Sequence, residues 1–522
     1  MQKGDNGKEM KKYRAAAAVI ILLLLTAVWC VCRAARYGQA AGNRRVWYRS
    51  LTEEPVSAPD AAKSETDEIT PDMESEGITP EAEPEETAPG TEPEEPLIRV
   101  RLTVSDFSSE IHPFVVLSSP DTFTLQSGSR AQIYTGGQTV TVSPDHPFLA
   151  DGSILVIGES GGVQIDSIAH RGQPQWYPGS LELYPSEGGI RIVNELPLEA
   201  YVERVVPSEM PPSYGAEAAR LQAVCTRTYA YRKLTAETPD AYGAIVNDSV
   251  NYQVYNAAPA AEVSSQAAAD TRGIVMTWQG EPFVPYFFST SCGYNSGNEI
   301  WGGKPLPFLR TQNLTFRNEI DCQQEGVFSA FIMNWDYPAY EDDCTWYRWD
   351  YSISMDNLKT MLIGRIDQLY AEVPEAFRAE DSGGNSCVVQ AAFVDGLQEI
   401  RVTRRLSGGM AAEAAIICEQ GTIYAQREMI LRRLFGSPAR LYRNQSDEGS
   451  GISEGDYLPS AFFYPAQIIE NNAVSGYTFC GGGNGHGIGL SQNAAAALLQ
   501  NGLTWQEVLQ FFYLGTGMKV VY

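Results

Sequence analysis

The amino-acid sequence predicts an α+β protein: a mixed domain carrying an antiparallel β subdomain, preceded by one transmembrane helix and a disordered acidic linker. Three observations lead there. Apolar and polar residues alternate in short runs between Leu97 and about Asn194. Small and polar residues recur at helical spacing from about Glu217 to Lys233. Ahead of both lie an apolar run and an acidic stretch from which no soluble core can be built.

Residues 1–14 hold Lys3, Lys8, Lys11, Lys12 and Arg14. Ala15 to Cys32 is an uninterrupted run of about eighteen apolar or small residues, long enough to span a bilayer. The run reads as a signal anchor at 15–32, with 1–14 as its cytoplasmic tail. Cleavage is disfavoured because Trp29-Cys30 makes a poor small-residue site, and the same residues make a poor lipoprotein signal. Arg33, Arg36, Arg44, Arg45 and Arg49 follow the run, so flanking charge does not fix its orientation.

Residues 33–97 read as the linker. From Thr52 to Pro96 the chain has sixteen Asp and Glu against the single Lys63, eight prolines and no aromatic residue. Such a segment repels itself and buries nothing, which predicts an extended tether. The tether contributes −15 and the first fifty-one residues +8 to the total of −26, leaving −19 on the remainder. A nucleic-acid binder needs a basic surface, and no basic cluster with interleaved aromatics is present, so nucleic acid is excluded as a partner.

Residues 98–195 form the expected β subdomain. Ile98, Val100, Leu102 and Val104 alternate with polar residues, and QTVTVS, SILVIG, LELYP and IRIV follow between Gly, Pro, Asp and Ser turns. Its expected role is scaffold.

The next segment holds the most informative residue. Helix-like LPLEAYVERVVPSE meets Met210-Pro211-Pro212, and neither proline can continue a helix, which places Glu209 at a C-terminal end. The helix dipole is negative there, and Val205, Val206 and Met210 are apolar, so the acid's pKa is expected to rise and to favour a proton donor. Ser213 is positioned to cap the next helix, about Glu217 to Lys233. That helix places Ala219, Gln222, Ala223, Thr226, Arg227 and Ala230 on one face, with Arg220 and Arg227 two turns apart. This face reads equally as a packing stripe with two solvated arginines or as the wall of a site.

Between 321 and 395 the predicted helix begins at Asp356, as its cap, and carries Leu358, Met361, Leu362, Ile366 and Leu369. Trp346, Tyr347 and Trp349 just before it suit either a core or a stacking surface. Near the C-terminus GGGNGHGIGLSQ precedes a helix from Gln492 to Gln500, with Ser491 as N-cap and Gly502 as stop. A glycine loop opening a helix offers free amides. It lacks Walker and G-x-G-x-x-G spacing, which argues against a nucleotide.

These motifs resemble, in order, those of the stage II sporulation protein D (SpoIID/LytB) family. The match runs from Glu199 to Pro211 and from Glu217 to Ala230. It continues in NDSVNYQVY (247–255), YFFSTSCGYNSGNEIWGG (286–303) and GHGIGLSQNAAAALLQNGLTWQEVLQFFYLGT (485–516). It covers about 196–320 and 396–522, which implies a catalytic core in two parts flanking an insertion at 321–395. The resemblance implies a peptidoglycan lytic transglycosylase that cleaves glycan strands between MurNAc and GlcNAc and leaves anhydro-MurNAc ends, in sporulation or wall remodelling. One carboxyl group, Glu209, would serve as general acid and then base, whereas hydrolytic glycosidases ordinarily need two.

The resemblance also implies substrate-binding roles for Arg220, Gln222, Arg227, Tyr229, Gln253, Ser289, Thr290, His486, Gly487, Ser491 and Gln492, with backbone groups beside His486 and Gln492 recognising glycan. Peptidoglycan glycan strands are the expected partner, no cofactor is expected, and the wall-directed motifs place the catalytic part outside a cell membrane that the anchor spans once. The alternative is a non-catalytic peptidoglycan-binding enhancer of a cell-wall amidase. Arg204 stands where a glycine is common and Phe288 where many relatives carry histidine. The second departure, with only four histidines and no C-x-x-C spacing, predicts no metal site. Seven cysteines beyond the apolar run leave at least one thiol unpaired. Cys225 is expected to be buried, and Cys322–Cys344 is the one pairing suggested.

Overall fold

The computed structural model describes residues 94–436, 442–443 and 457–522. Among them no helix is long and apolar enough to cross a membrane. That finding overturns the single-pass membrane localisation expected above. The apolar run at 15–32, its tail and the linker up to residue 93 lie outside the described residues.

The alternating segment folds as expected into antiparallel strands: β1 (Leu97–Leu102), β2 (Val115–Ser118), β3 (Phe123–Ser127), β4 (Arg130–Tyr134), β5 (Thr139–Val142), β6 (Ile154–Ile165), β7 (Trp176–Ser186) and β8 (Gly189–Pro197). They join one sheet in the order β4-β3-β6-β7-β8-β1, with β2 bridging β5 and β6. The parallel β9 (Val246–Asn247) closes its edge beside β1. Ile98, Val100 and Leu102 are fully buried in the core of this sheet, as their period of two requires.

The helix α1 (Leu198–Glu209) leaves β8 without a loop, and α2 (Ala216–Ala236) follows after one 3-10 turn over Pro212–Tyr214. Gly215, at φ 92, occupies the cap position expected of Ser213, because only glycine takes that left-handed turn without a Cβ clash. The α3 helix (Glu262–Asp270) packs on both. Arg227 joins the three. It is fully buried, with Nε 2.8 Å and Nη2 2.6 Å from the Glu199 carboxylate, and further bonds to Thr271 Oγ1 and the Ala268 and Ile274 carbonyls. Tyr522 also donates to Glu199, at 2.7 Å.

Short strands β10 (Ile274–Trp278), β11 (Glu281–Pro282) and β12 (Phe287–Phe288) come next, then α4 (Glu325–Ile332). Strand β13 (Trp349–Ser354) leads into α5 (Met355–Glu372), whose cap is Ser354 and not the expected Asp356. Leu358, Leu362, Ile366 and Leu369 of α5 are buried against a five-stranded antiparallel sheet of β14 (Phe377–Asp381), β15 (Ser386–Cys387), β16 (Leu397–Arg405), β17 (Ala411–Cys418) and β18 (Gly421–Gln426). Tyr347 and Trp349 are fully buried, so the core reading of that aromatic cluster holds for them.

The chain continues through α6 (Glu428–Phe435), β19 (Tyr442–Arg443), β20 (Phe463–Glu470) and β21 (Ala473–Gly481); β19 and β21 flank β13, and β20 pairs with β21. It then runs through β22 (Leu490–Ser491), α7 (Gln492–Gln500), α8 (Trp505–Phe512) and β23 (Gly517–Val520), which returns to β10. No disulfide joins the seven described cysteines, so the Cys322–Cys344 pairing is corrected, and Cys225 is buried in α2.

Removing one member of a buried ion pair strands the other charge, whereas exposed pairs contribute little. Arg227→Ala is therefore expected to cost about 3–5 kcal/mol of unfolding free energy and Arg220→Ala less than about 1 kcal/mol, read by urea denaturation of the two variants.

Candidate active site

Helix α1 ends where the sequence demands. Met210 turns to an extended φ of −127, and Pro211 and Pro212 offer no amide to prolong the helical ladder. Glu209 is thus the last helical residue, and its side chain enters a cleft of about 270 Å³. Segment 250–254, Pro285 through Ser289, Gly485, His486 and Gln492 form the remaining walls with Tyr229 of α2. Parallel pairing of β12 with β22 brings the Phe287 loop and the start of α7 together.

The Glu209 Oε1 atom accepts from the Val254 amide at 2.6 Å, and Gln492 Nε2 donates to the Glu209 carbonyl at 3.1 Å. Burial pushes the Glu209 carboxyl up to about 7, against the opposing effects of the Val254 amide, the Arg171 charge and Gln492. The expected rise is present, and its leading cause is burial. Glu209 is the sole carboxylate among the described residues that line the cleft.

The walls are aromatic. Tyr286 packs on Trp301 at 4.8 Å, and Trp301, 41% exposed, lies 5.5 Å from the His486 ring. Lys233 Nζ sits 5.6 Å over each of the Tyr229 and Tyr252 rings. At the floor, Gln253 is fully buried and accepts from Tyr201 at 3.3 Å, while its Nε2 has no hydrogen-bond partner. A buried donor of this kind in a cleft wall is suited to a ligand oxygen.

Of the expected site residues, Glu209, Tyr229, Gln253, Ser289, His486 and Gln492 line this cleft. The others do not. Arg227 is spent on Glu199, and Arg220 pairs with Asp270 at 2.7 Å and with Glu217. Gln222 is buried one layer back, within 3.5 Å of Gln492. Thr290 is held by Asn493, and the Ser491 hydroxyl donates to Glu341 at 2.6 Å. Gly487, at φ 75, packs against Phe462, where a Cβ would come within 2.5 Å.

The glycine loop also differs from expectation. The amides of Gly482, Gly483, Asn484, Gly485 and Gly489 all donate to carbonyls of the protein, so the loop spends its donors on folding. His486 is locked likewise. Nε2 must carry the proton it gives the Phe287 carbonyl at 2.8 Å, and Nδ1 accepts from the Ile488 amide at 3.1 Å. Burial lowers its pKa to about 4, so it stays neutral and offers the cleft only its ring.

Four contributors escaped the sequence reading. Tyr252 and Tyr286 stand inside quoted motifs, and their position next to expected residues was the available signal. Arg171 comes from the β subdomain at φ 52 and donates to the Ser208 carbonyl at 3.3 Å, beside the acid. Glu341, from the segment read as an insertion, is fully buried behind the cleft wall. Nothing in the local sequence marks either.

A family model described as stage II sporulation protein matches residues 186–278. Stage II sporulation protein D of Bacillus subtilis is 32% identical over 152 residues, covering 26% of this chain and 43% of that protein. Its counterpart in Bacillus amyloliquefaciens is 32% identical over 148 residues, 26% of this chain and 42% of that protein. A Bacillus subtilis protein named amidase enhancer is 24% identical over 324 residues, 60% of this chain and 39% of its own length. The chain thus spans less than half the length of these curated relatives. The match begins in β8, runs through the acid-bearing turn and ends at β10, so the segment that carries the site is similar to the stage II sporulation protein family.

Proposed function

We propose that the protein is a peptidoglycan lytic transglycosylase with Glu209 as its single acid and base. The observation that carries this reading is one carboxyl, raised to about 7 by burial, in an aromatic cleft that supplies no second acid. Hydrolytic glycosidases place two carboxyl groups across the scissile bond, one of them for water or for a covalent intermediate. A lone acid suits an intramolecular displacement. The protonated Glu209 gives its proton to the glycosidic oxygen as the bond from the MurNAc anomeric carbon to that oxygen breaks. The resulting carboxylate then takes the proton of the MurNAc 6-hydroxyl, whose oxygen closes on the same anomeric carbon. An anhydro-MurNAc end forms, no water is consumed, and Glu209 is restored.

The surroundings support the cycle. The Val254 amide stabilises the ionised form, and Arg171, bonded to the Ser208 carbonyl, adds positive charge beside the helix end. Tyr286 and Trp301 offer faces on which sugar rings stack. A second reading, an enhancer of a wall amidase that binds glycan without cutting it, is favoured by the longer match to the amidase enhancer and uses the same cleft.

Purified full-length protein and isolated glycan strands distinguish the two. Products ending in an anhydro sugar are expected by mass spectrometry, and Glu209→Gln is expected to lower their rate by about 10²–10⁴-fold. Reducing ends alone mean a hydrolase. Strand binding with amidase stimulation and no cleavage means the enhancer.

The pH dependence has a definite sign. A carboxyl whose folded pKa is raised is protonated below about 7, so proton donation, and with it kcat, falls as pH rises through that value. Its contribution to stability runs the same way, complete below its ordinary value of 4.5 and lost as pH rises through about 7. Arg171→Ala removes a charge that favours the ionised form, so the alkaline limb of the kcat profile should move to higher pH.

A further inference from the structure

Glu341 is fully buried, and the proposed cycle does not use it. Its Oε1 accepts from the Ser291 amide at 3.0 Å and from the Ser491 hydroxyl at 2.6 Å, while Oε2 takes the Ser291 hydroxyl. The Ala494 amide, in the first turn of α7, also bonds to it. Ser491 is the N-cap of α7, yet its own side chain caps no helix amide. A carboxyl from a segment some 150 residues away does that work.

Both groups that Glu341 ties carry the cleft. Ser289, two residues before Ser291, lines it, as does Gln492, one residue after Ser491. Asn493 fastens the same two segments, its Nδ2 reaching the Ser289 carbonyl at 3.1 Å and Thr290 Oγ1 at 2.9 Å. Gln492 in turn donates to the Glu209 carbonyl and approaches Gln222. The chain of contacts runs Glu341, Ser491, Gln492, Glu209.

We propose that Glu341 is a positioning residue: it clamps the Ser291 loop to the N-terminus of α7 and so holds Gln492 against the acid-bearing helix end. The proposal deepens the reading of Glu209 as the acid and rests on that reading only for its effect on turnover. A buried acceptor at a helix start completes free amides and answers the dipole, which gives the clamp its hold. Burial raises the Glu341 carboxyl to about 7 as well, and no cation pairs with it in these bonds. Tyr214, Cys292 and Cys344 are the ionisable groups whose charge interacts with it, and Asp342 and Asp343 stand near Cys344. Those facing Glu209 are Arg171 from the loop after β6, Tyr201 on its own helix, Tyr229 on α2, and Tyr252, Tyr286 and His486 across the cleft.

The test is a carbon-13 titration of the Glu side-chain carboxyls in the full chain, with Glu209 assigned by its loss in Glu209→Gln. In wild type and in Glu341→Gln, whose amide oxygen still accepts from Ser291 and Ser491, Glu209 is expected to titrate near 7. In Glu341→Ala the Gln492 contact loosens and the Glu209 midpoint moves up by about half a unit. Turnover of glycan strands should fall about tenfold in kcat with KM within twofold, and Glu341→Gln should restore it. An unmoved Glu209 midpoint in folded Glu341→Ala overturns the proposal. If that variant does not fold, Ser491→Ala, which removes one link of the clamp, is judged by the same shift. A wild type that cleaves nothing defeats the transglycosylase reading, and the titration still decides this one.

Discussion

Everything at the site depends on a helix that is forced to stop. Helix α1 reaches Glu209 and no further, because the two prolines after Met210 remove the amides that another turn would need. The stop leaves a carboxyl at the negative end of a helix and inside an apolar cleft. Burial is the larger cause of its raised proton affinity, and the Val254 amide keeps the ionised form accessible.

A stop of that kind is useful only if the helix is held still. The buried Arg227–Glu199 pair ties the first turn of α1 to the middle of α2, with bonds onward to the end of α3 and to β10. Such a pair is paid for in desolvation, and its worth lies in fixing the crossing of these elements more than in net stability. The β sheet holds α1 from the other side, since β8 runs into it and Leu198, Tyr201 and Val205 enter the core of that sheet. Gly215 sets the angle at which α2 returns.

How much of this was legible in the sequence depends on the range of the forces involved. Local rules read well. Alternation gave the strands of the β subdomain, proline gave the end of α1, and small-residue spacing gave α2. Side-chain destinations read poorly. Arg227 stands on the face expected of a site wall, but Glu199, twenty-eight residues earlier, claims its guanidinium. His486 and the glycine loop carry the look of a binding loop, yet their donors are consumed by carbonyls brought in from 287, 290, 296 and elsewhere. Arg171 and Glu341 reach the site from distant segments by tertiary contact alone. No local pattern encodes such contacts.

The electrostatics of the cleft follow from the same geometry. The chain beyond residue 96 has a net charge of −19, and the linings of its cleft are nearly neutral: His486 is held uncharged, and Glu209 is half protonated near 7. Neutral sugar rings meet no repulsion in such a groove, and aromatic faces reward their apolar edges. The same neutrality explains why burial can govern Glu209. With Arg171 reaching the carbonyl of Ser208 and not the carboxylate, the positive charge moderates the acid without neutralising it. A bidentate cation at that point would drive the pKa below the range in which a carboxyl can serve first as donor and then as base.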